Sequence, residues 1–295
     1  MSVRKLLMIL YRCCIVAFLA LVVVATLTEM AMAWVWLPAA IVVAIALGMS
    51  RKARAEQAQR PPTVEVDAPV TGRWSALNSP ADKVPSHGTH AYGQTYAIDI
   101  VADPEAEGGV ENGAEKGVEG GAEKGADNGA RPPFRWLWPI VRRNSDFPAF
   151  GAPLLSVADA TVVHASDSQR DHLSRNSLPA LVFMLLIEGA VREISGASRI
   201  VGNHIVLDLG DGTYAMYAHV QRGSLAVREG DRVLAGQQLA RCGNSGNSSE
   251  PHVHFQLMDG PDLDAARGIP FRWRGVGVPR NGEAFTAGEQ ALPAV

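Results

Sequence analysis

Hydrophobic and polar positions divide the chain into three regimes. From Leu6 to Leu27 a single charged residue, Arg12, interrupts an otherwise uncharged apolar stretch, and about 20 apolar residues suffice to cross a bilayer. A second apolar run, Trp34 to Met49, is shorter and carries Pro38 near its start. The pattern predicts a membrane anchor over residues 1–50, built of one or two transmembrane helices, with residues 6–49 touching lipid. Ala31-Met32-Ala33 also has the small-residue character of a signal-peptide cleavage site, although apolar residues 34–49 would be an odd start for a mature soluble chain. Basic residues flank both ends, Arg4, Lys5 and Arg12 before and Arg51, Lys52 and Arg54 after. The positive-inside tendency would keep both ends of a hairpin in the cytoplasm, whereas a single tilted span or a translocated amino terminus puts residues 55 onward outside.

The second regime is polar and repetitive. Residues 51–66, with Pro61-Pro62 and mixed charge, read as a linker into a domain over 67–280, followed by a tail at 281–295. Within the domain, residues 104–130 hold an imperfect repeat, Gly113-Ala-Glu-Lys-Gly-Val-Glu-Gly and then Gly121-Ala-Glu-Lys-Gly-Ala-Asp-Asn. A glycine about every fourth residue costs a helix roughly 1 kcal/mol each relative to alanine, so a disordered surface insertion is predicted, with a lid as the other use.

The third regime alternates with period two. Thr95 to Val101, Ala160 to His164, His204 to Leu209, Thr213 to Val220 and Val253 to Leu257 read as strands between Gly, Asp and Asn turns, and Leu209-Gly210-Asp211-Gly212 is a hairpin signal. Leu181 to Ile194 departs from this pattern: Ser177 and Pro179 precede it and Gly196 follows it, which predicts a helix. It is too short to span a bilayer and is expected to be buried on the sheet rather than on a membrane surface. The fold class is therefore mainly β, an antiparallel-sheet, barrel-sandwich-like domain with a short helical insertion, preceded by N-terminal transmembrane helices.

Composition removes several classes of function. With 27 Lys+Arg against 30 Asp+Glu there is no basic field to gather nucleic acid, and no local patch replaces it. Cys13 and Cys14 are adjacent in an apolar run, which leaves Cys242 alone and rules out both a disulfide framework and a cysteine-rich zinc motif. Cys242 reads as a small buried residue.

Side chains two apart on a strand share a face. In Pro251-His252-Val253-His254-Phe255-Gln256-Leu257, His252 and His254 converge on one side while Val253, Phe255 and Leu257 face the core. The same alternation groups Ala97, Asp99 and Val101, placing a carboxylate that needs a partner. It groups Tyr217 with His219, opposite Tyr214, Met216 and Ala218. A catalytic zinc usually takes three ligands from His, Asp or Glu, so one carboxylate and several histidines meet that demand. His164, His172 and His204 read as structural.

Four motifs in order, Gly202-Asn203-His204-Ile-Val-Leu-Asp, Tyr217-Ala218-His219, Gly230-Asp231-Arg-Val-Leu-Ala-Gly236-Gln237 and Gly243-Asn-Ser-Gly246 through Pro251-His-Val-His-Phe, resemble lysostaphin-type zinc endopeptidases across most of residues 85–260. The resemblance implies hydrolysis of peptide bonds in bacterial cell-wall peptidoglycan with one Zn2+ per chain, outside the cytoplasm. It implies that His254 and Asp99 ligate zinc, that His252 moves the proton of the attacking water, and that His219 lies near the developing oxyanion. The last ligand departs from the common pattern, because Thr95 stands where a histidine is expected. His87, held between Pro85 and Gly88, is favoured for that place, with His90 as the alternative. Some members of this family lack ligands and regulate other wall hydrolases; the presence of Asp99, His219, His252 and His254 argues against that here. Val227 to Leu239 also resembles a lipoyl or biotinyl carrier hairpin, but no lysine follows Lys124 to be modified.

Overall fold

The computed structural model describes residues 3–29, 31–58, 61–104 and 130–288. The two apolar runs form helices α1 (Val3–Leu27) and α2 (Ala33–Ala58), packed on one another. Ile9–Leu27 is long and apolar enough to cross a bilayer, whereas the apolar part of α2, Ala33–Gly48, is shorter. α2 continues past its apolar part to Ala58, so residues 51–58 are helical rather than linker. Ala, Arg, Glu and Gln in that stretch are good helix formers, and no glycine or proline stops the helix.

The strands are β1 (Val64–Val66), β2 (Gly72–Asn78), β3 (Ile98–Ala102), β4 (Pro153–Leu155), β5 (Ala160–Ser166), β6 (His204–Asp208) and β7 (Tyr214–Ala218). They continue with β8 (Arg232–Val233), β9 (Gln238–Arg241), β10 (Val253–Met258), β11 (Gly268–Ile269), β12 (Phe271–Trp273) and β13 (Ala284–Ala287). One antiparallel sheet runs in the order β13-β2-β3-β10-β7-β6-β5-β8, with β11 beside the end of β10. β4 pairs with β9, and β1 pairs in parallel with β12. The sheet ends on β13 and β8 without closing, so the antiparallel architecture holds but the barrel-like closure expected from the carrier-type hairpin does not form. Thr95 to Ala97 precede the strand instead of joining it: Ala91–Tyr96 is a 3-10 turn in which Tyr92 and Gly93 have φ of 58° and 73°.

Alternation sorts the two faces. Ile98 and Ile100, Ile205 and Leu207, Ala215 and Tyr217, and Val253, Phe255 and Leu257 enter one core. Phe255 is its hub, 5.5 Å from the Tyr217 ring, 5.1 Å from Phe271 and 6.0 Å from Trp273. On the other face Val206, Met216 and Met258 pack with Val201 and Leu263 in a smaller cluster. The domain extends beyond 67–280 at both ends. Val64 starts β1, and β13 completes the sheet beside β2 with Phe285 stacked 5.5 Å from Trp273, which makes part of the expected tail structural. Residues 105–129 of the repeat and 289–295 of the tail lie outside the described residues.

The helical insertion forms as α3 (Leu178–Phe183), a wider π turn at Met184–Glu188, α4 (Gly189–Ser195) and the short α5 (Ala197–Val201). Ser177 caps its start by accepting from the Ala180 amide, and Gly196 at φ 115° ends α4. Burial departs from expectation. Ala180, Met184 and Gly189 are buried, but Val182, Phe183, Leu185, Leu186, Ile187 and Val191 are exposed, so this is not a core helix.

Candidate metal and catalytic site

Sheet register does the first part of the assembly. On β10, His254 lies directly opposite Asp99 of β3 on one side and Ala218 of β7 on the other. Asp99, His254 and Gln256 all belong to the face that carries the smaller apolar cluster. His219 reaches this face in spite of alternation. Strict period two would put it with Tyr217, but Tyr217 lies in the main core with its hydroxyl accepting from the Val157 amide. β7 ends at Ala218, and His219 takes φ 59°, which turns its ring towards His252 and His254, with centroids 4.9 and 5.7 Å away. His87 arrives on the loop between β2 and β3.

Two overlapping sets of potential ligands result, His87 with Asp99 and His254, and His219 with His252 and His254. His87 Nε2 lies 2.9 Å from Asp99 Oδ2, and His254 Nδ1 lies 2.8 Å from Asp99 Oδ1. His90 is outside both sets; its Nδ1 is 3.0 Å from Thr95 Oγ1. His164, His172 and His204 are also outside them: His164 and His204 stack on each other at 4.4 Å, and His172 Nε2 meets the Gly246 carbonyl. Cys242 is buried, and burial pushes its thiol up, away from nucleophilic chemistry.

Hydrogen bonds fix the tautomers. Gln256 donates its amide Nε2 to the Tyr92 carbonyl, so its Oε1 faces His254 Nε2 at 3.0 Å and that nitrogen must carry the proton. A neutral His254 therefore turns the lone pair of Nδ1 on Asp99. Ser86 spends its single hydroxyl proton on the Ala97 carbonyl at 2.6 Å and accepts from His87 Nδ1 at 3.0 Å. The lone pair of His87 Nε2 consequently faces the other oxygen of the same carboxylate. Two lone pairs and a carboxylate at these distances need either added protons or a metal cation among them. If protons rather than a metal fill this gap, burial would raise the Asp99 carboxyl, but protonated His87 and His252 and hydrogen bonds donated by His252 and His254 hold it well below the usual carboxylate range, so Asp99 is an anion in either case. Desolvation lowers His254 against the pull of Asp99, which disfavours an imidazolium there. A divalent metal satisfies all three groups, and the N2O donor set suits zinc. Asn78 Nδ2 donates to Asp99 Oδ2 at 2.8 Å, supporting the carboxylate from behind.

The two remaining histidines are oriented alike. His252 donates Nδ1–H to the Glu250 carbonyl at 2.7 Å, and His219 donates Nδ1–H to the Ser245 carbonyl at 2.8 Å. In the neutral form each presents the lone pair of Nε2; that of His252 lies 3.5 Å from Asp99 Oδ1, which favours its taking up a proton. Burial lowers His252 but Asp99 outweighs it, so its pKa is raised, whereas burial and the neighbouring His252 and His254 push His219 well below its ordinary value. The carbonyls that orient these rings are themselves held. The Ser245 hydroxyl accepts from the Asn203 amide and donates to the Val220 carbonyl. Gly202 at φ 69° lets this loop close, since a Cβ there would come within 2.6 Å of the Ser245 carbonyl carbon. Buried Glu250 is bound by the Arg131 guanidinium and by Asn176 Nδ2.

The sequence pattern of Peptidase family M23 matches residues 186–265, a stretch that holds His219, His252 and His254 but stops short of His87 and Asp99. Residues 186–265 are similar to Peptidase family M23. Over 57 residues it is 32% identical to peptidoglycan DD-endopeptidase ShyA of Vibrio cholerae, covering 19% of this chain and 13% of that protein. Over 58 residues it is 43% identical to glycyl-glycine endopeptidase ALE-1 of Staphylococcus capitis, covering 19% of this chain and 16% of that one. The match thus spans less than a fifth of either curated relative. The catalytic domain of the antimicrobial peptidase lysostaphin from Staphylococcus simulans aligns with 46% of this chain and 84% of its own, at 22% identity and a TM-score of 0.27.

Residues that support this site went unnoticed in the sequence, and their signals differ. Gln256 was legible, since it continues the His252, His254 period. Ser86, Asn78, Ser245, Arg131 and Asn176 carry no such signal: Ser86 acts on the adjacent His87 through a loop conformation, Asn78 meets Asp99 only by the pairing of β2 with β3, and the other three arrive through loop contacts far along the chain.

Proposed function

We propose that this chain is a membrane-anchored zinc endopeptidase that hydrolyses peptide bonds in bacterial peptidoglycan, with its domain outside the cytoplasm. The observation that carries the reading is the pair of lone-pair nitrogens, His87 Nε2 and His254 Nδ1, aimed at the two oxygens of buried Asp99. Both curated relatives are named as endopeptidases, one of peptidoglycan and one of glycyl-glycine bonds. The candidate span Ile9–Leu27 supplies the anchor.

His87, Asp99 and His254 would hold the zinc, which when bound polarises a peptide carbonyl and makes water more acidic. His252 Nε2 is the base that takes the proton from the attacking water, because Nδ1 is committed to the Glu250 carbonyl. The same nitrogen then returns that proton to the departing amine. His219 positions the reacting group. Its Nδ1–H is committed to the Ser245 carbonyl and burial disfavours an imidazolium there, so its Nε2 accepts a hydrogen bond from the attacking water and orients it.

The test is digestion of defined muropeptides by the full chain in detergent, with products identified by mass and zinc measured on the same sample. His254→Ala should lose both zinc and hydrolysis. His252→Ala should keep zinc and lose about 10²–10⁴-fold in rate. Retained activity in either variant overturns the assignment, and a wild-type chain with neither zinc nor hydrolysis would be a binding module.

A further inference from the structure

The helix from Leu178 to Ser195 is amphipathic the wrong way round for a soluble domain. Its charged residues Glu188 and Arg192 turn inward: Glu188 accepts at 2.6 Å from Arg175, which precedes the helix, and Arg192 reaches Asn247 at 3.1 Å and Glu188 at 3.5 Å. Its large apolar side chains turn outward, with Phe183 54% and Leu186 65% exposed. A surface helix in water shows the opposite arrangement.

The apolar surface continues onto the neighbouring strap. Residues 134–141 run beside the start of the helix, joined by the Leu178 amide to the Arg135 carbonyl and by the Ser177 hydroxyl to the Ile140 carbonyl. On this strap Trp136, Leu137 and Trp138 are each more than 70% exposed, and Arg135 and Arg143 stand in solvent beside them. A contiguous apolar patch of this kind marks an interaction site. Tryptophans with flanking arginines, next to an aliphatic helix face, are the composition favoured at the boundary between lipid headgroups and acyl chains.

The chain also limits how far this surface can be from a bilayer. Beyond the apolar part of α2, residues 49–58 add about 15 Å of helix, and residues 59–63 reach at most about 17 Å further before β1 begins. A domain of this size is about 40 Å across. It cannot leave the membrane surface by more than its own width.

We propose that the outward face of the Leu178–Ser195 helix, together with Trp136 to Trp138, docks into the outer layer of the bilayer that anchors the chain. The contact rests on the anchoring reading above. It holds the domain in a fixed pose, because the inward side of the same helix bonds Asn247 in the loop that also carries Ser245.

The test uses the full chain with Cys13→Ser and Cys14→Ser, reconstituted in vesicles of phosphatidylcholine with phosphatidylglycerol. A fluorophore is placed at Leu186→Cys and, as a control, at Leu234→Cys, an exposed position after edge strand β8. Nitroxide on the lipid chains should quench the label at 186 at least threefold more than that at 234, and aqueous iodide should do the reverse. Equal access of iodide to both positions, in a chain that floats with vesicles at alkaline pH, overturns docking and leaves the anchor standing. Protection from iodide without quenching by lipid also overturns it, since protein then covers the face. Failure to float removes the anchor and the docking together.

Discussion

Strand β10 and the Leu178–Ser195 helix both mix apolar with polar residues, and they arrange them in opposite ways. In β10 every residue is buried, and alternation sends Val253, Phe255 and Leu257 to the core and His254 and Gln256 to the site. In the helix the ionic side chains face the protein while aliphatic ones face out. Periodicity identifies which residues share a face. It does not say which face is inside, because that depends on what the neighbouring surface offers.

The comparison can be broken by substitution, most severely in the core. Phe255→Ala should cost about 3–5 kcal/mol in chemical unfolding of the full chain in detergent, because its ring is fully buried among Tyr217, Phe271 and Trp273. A loss below about 1 kcal/mol would mean that β10 is no more essential to packing than the helix.

A buried histidine away from the site separates burial from chemistry. Desolvation is the main cause that pushes His204 down to about 4, with His164 acting in the same direction against a hydrogen bond to the Gly202 carbonyl. Between about pH 6.5 and about 4 the unfolded chain binds a proton here that the folded chain does not, so stability is present above that window and is lost as pH falls through it. The loss at this residue is on the order of 3 kcal/mol. His204→Asn should flatten the fall in unfolding free energy between pH 7 and pH 4 by about that amount; an unchanged slope would assign acid sensitivity to other groups.

Gln256→Ala examines the polar face of the same strand. Without the amide oxygen, the tautomer of His254 is no longer fixed, and zinc affinity should fall about 10–100-fold in a competitive chelator titration. Unaltered affinity would show that Asp99 alone orients the ring. The smallest effect is expected on the helix. Phe183→Ala should change unfolding in detergent by no more than about 0.5 kcal/mol, as for other exposed positions.

The site was legible wherever one strand carried it. His252, His254 and Asp99 follow from period two, and Ser177 and Gly196 mark the ends of the helix that forms. His219 was identified for a reason the backbone does not obey, since the ring reaches the site through a left-handed residue after β7 and not by sharing a face with Tyr217. β13 was hidden because its four residues become a strand only beside β2. The exposure of the helix was hidden because its composition suits a core and a membrane surface equally.

By itself the sequence determined the apolar amino terminus, the alternating strands, and the residue types able to hold a metal, since these depend on spacing and side-chain chemistry within short segments. Tertiary structure decided that His87 and not His90 meets Asp99, that Gln256 and Ser86 set the two tautomers, and that the insertion turns its apolar side outward. Those outcomes rest on contacts between loops and strands distant in the chain, where hydrogen-bond donors and acceptors are matched only after the backbone has closed.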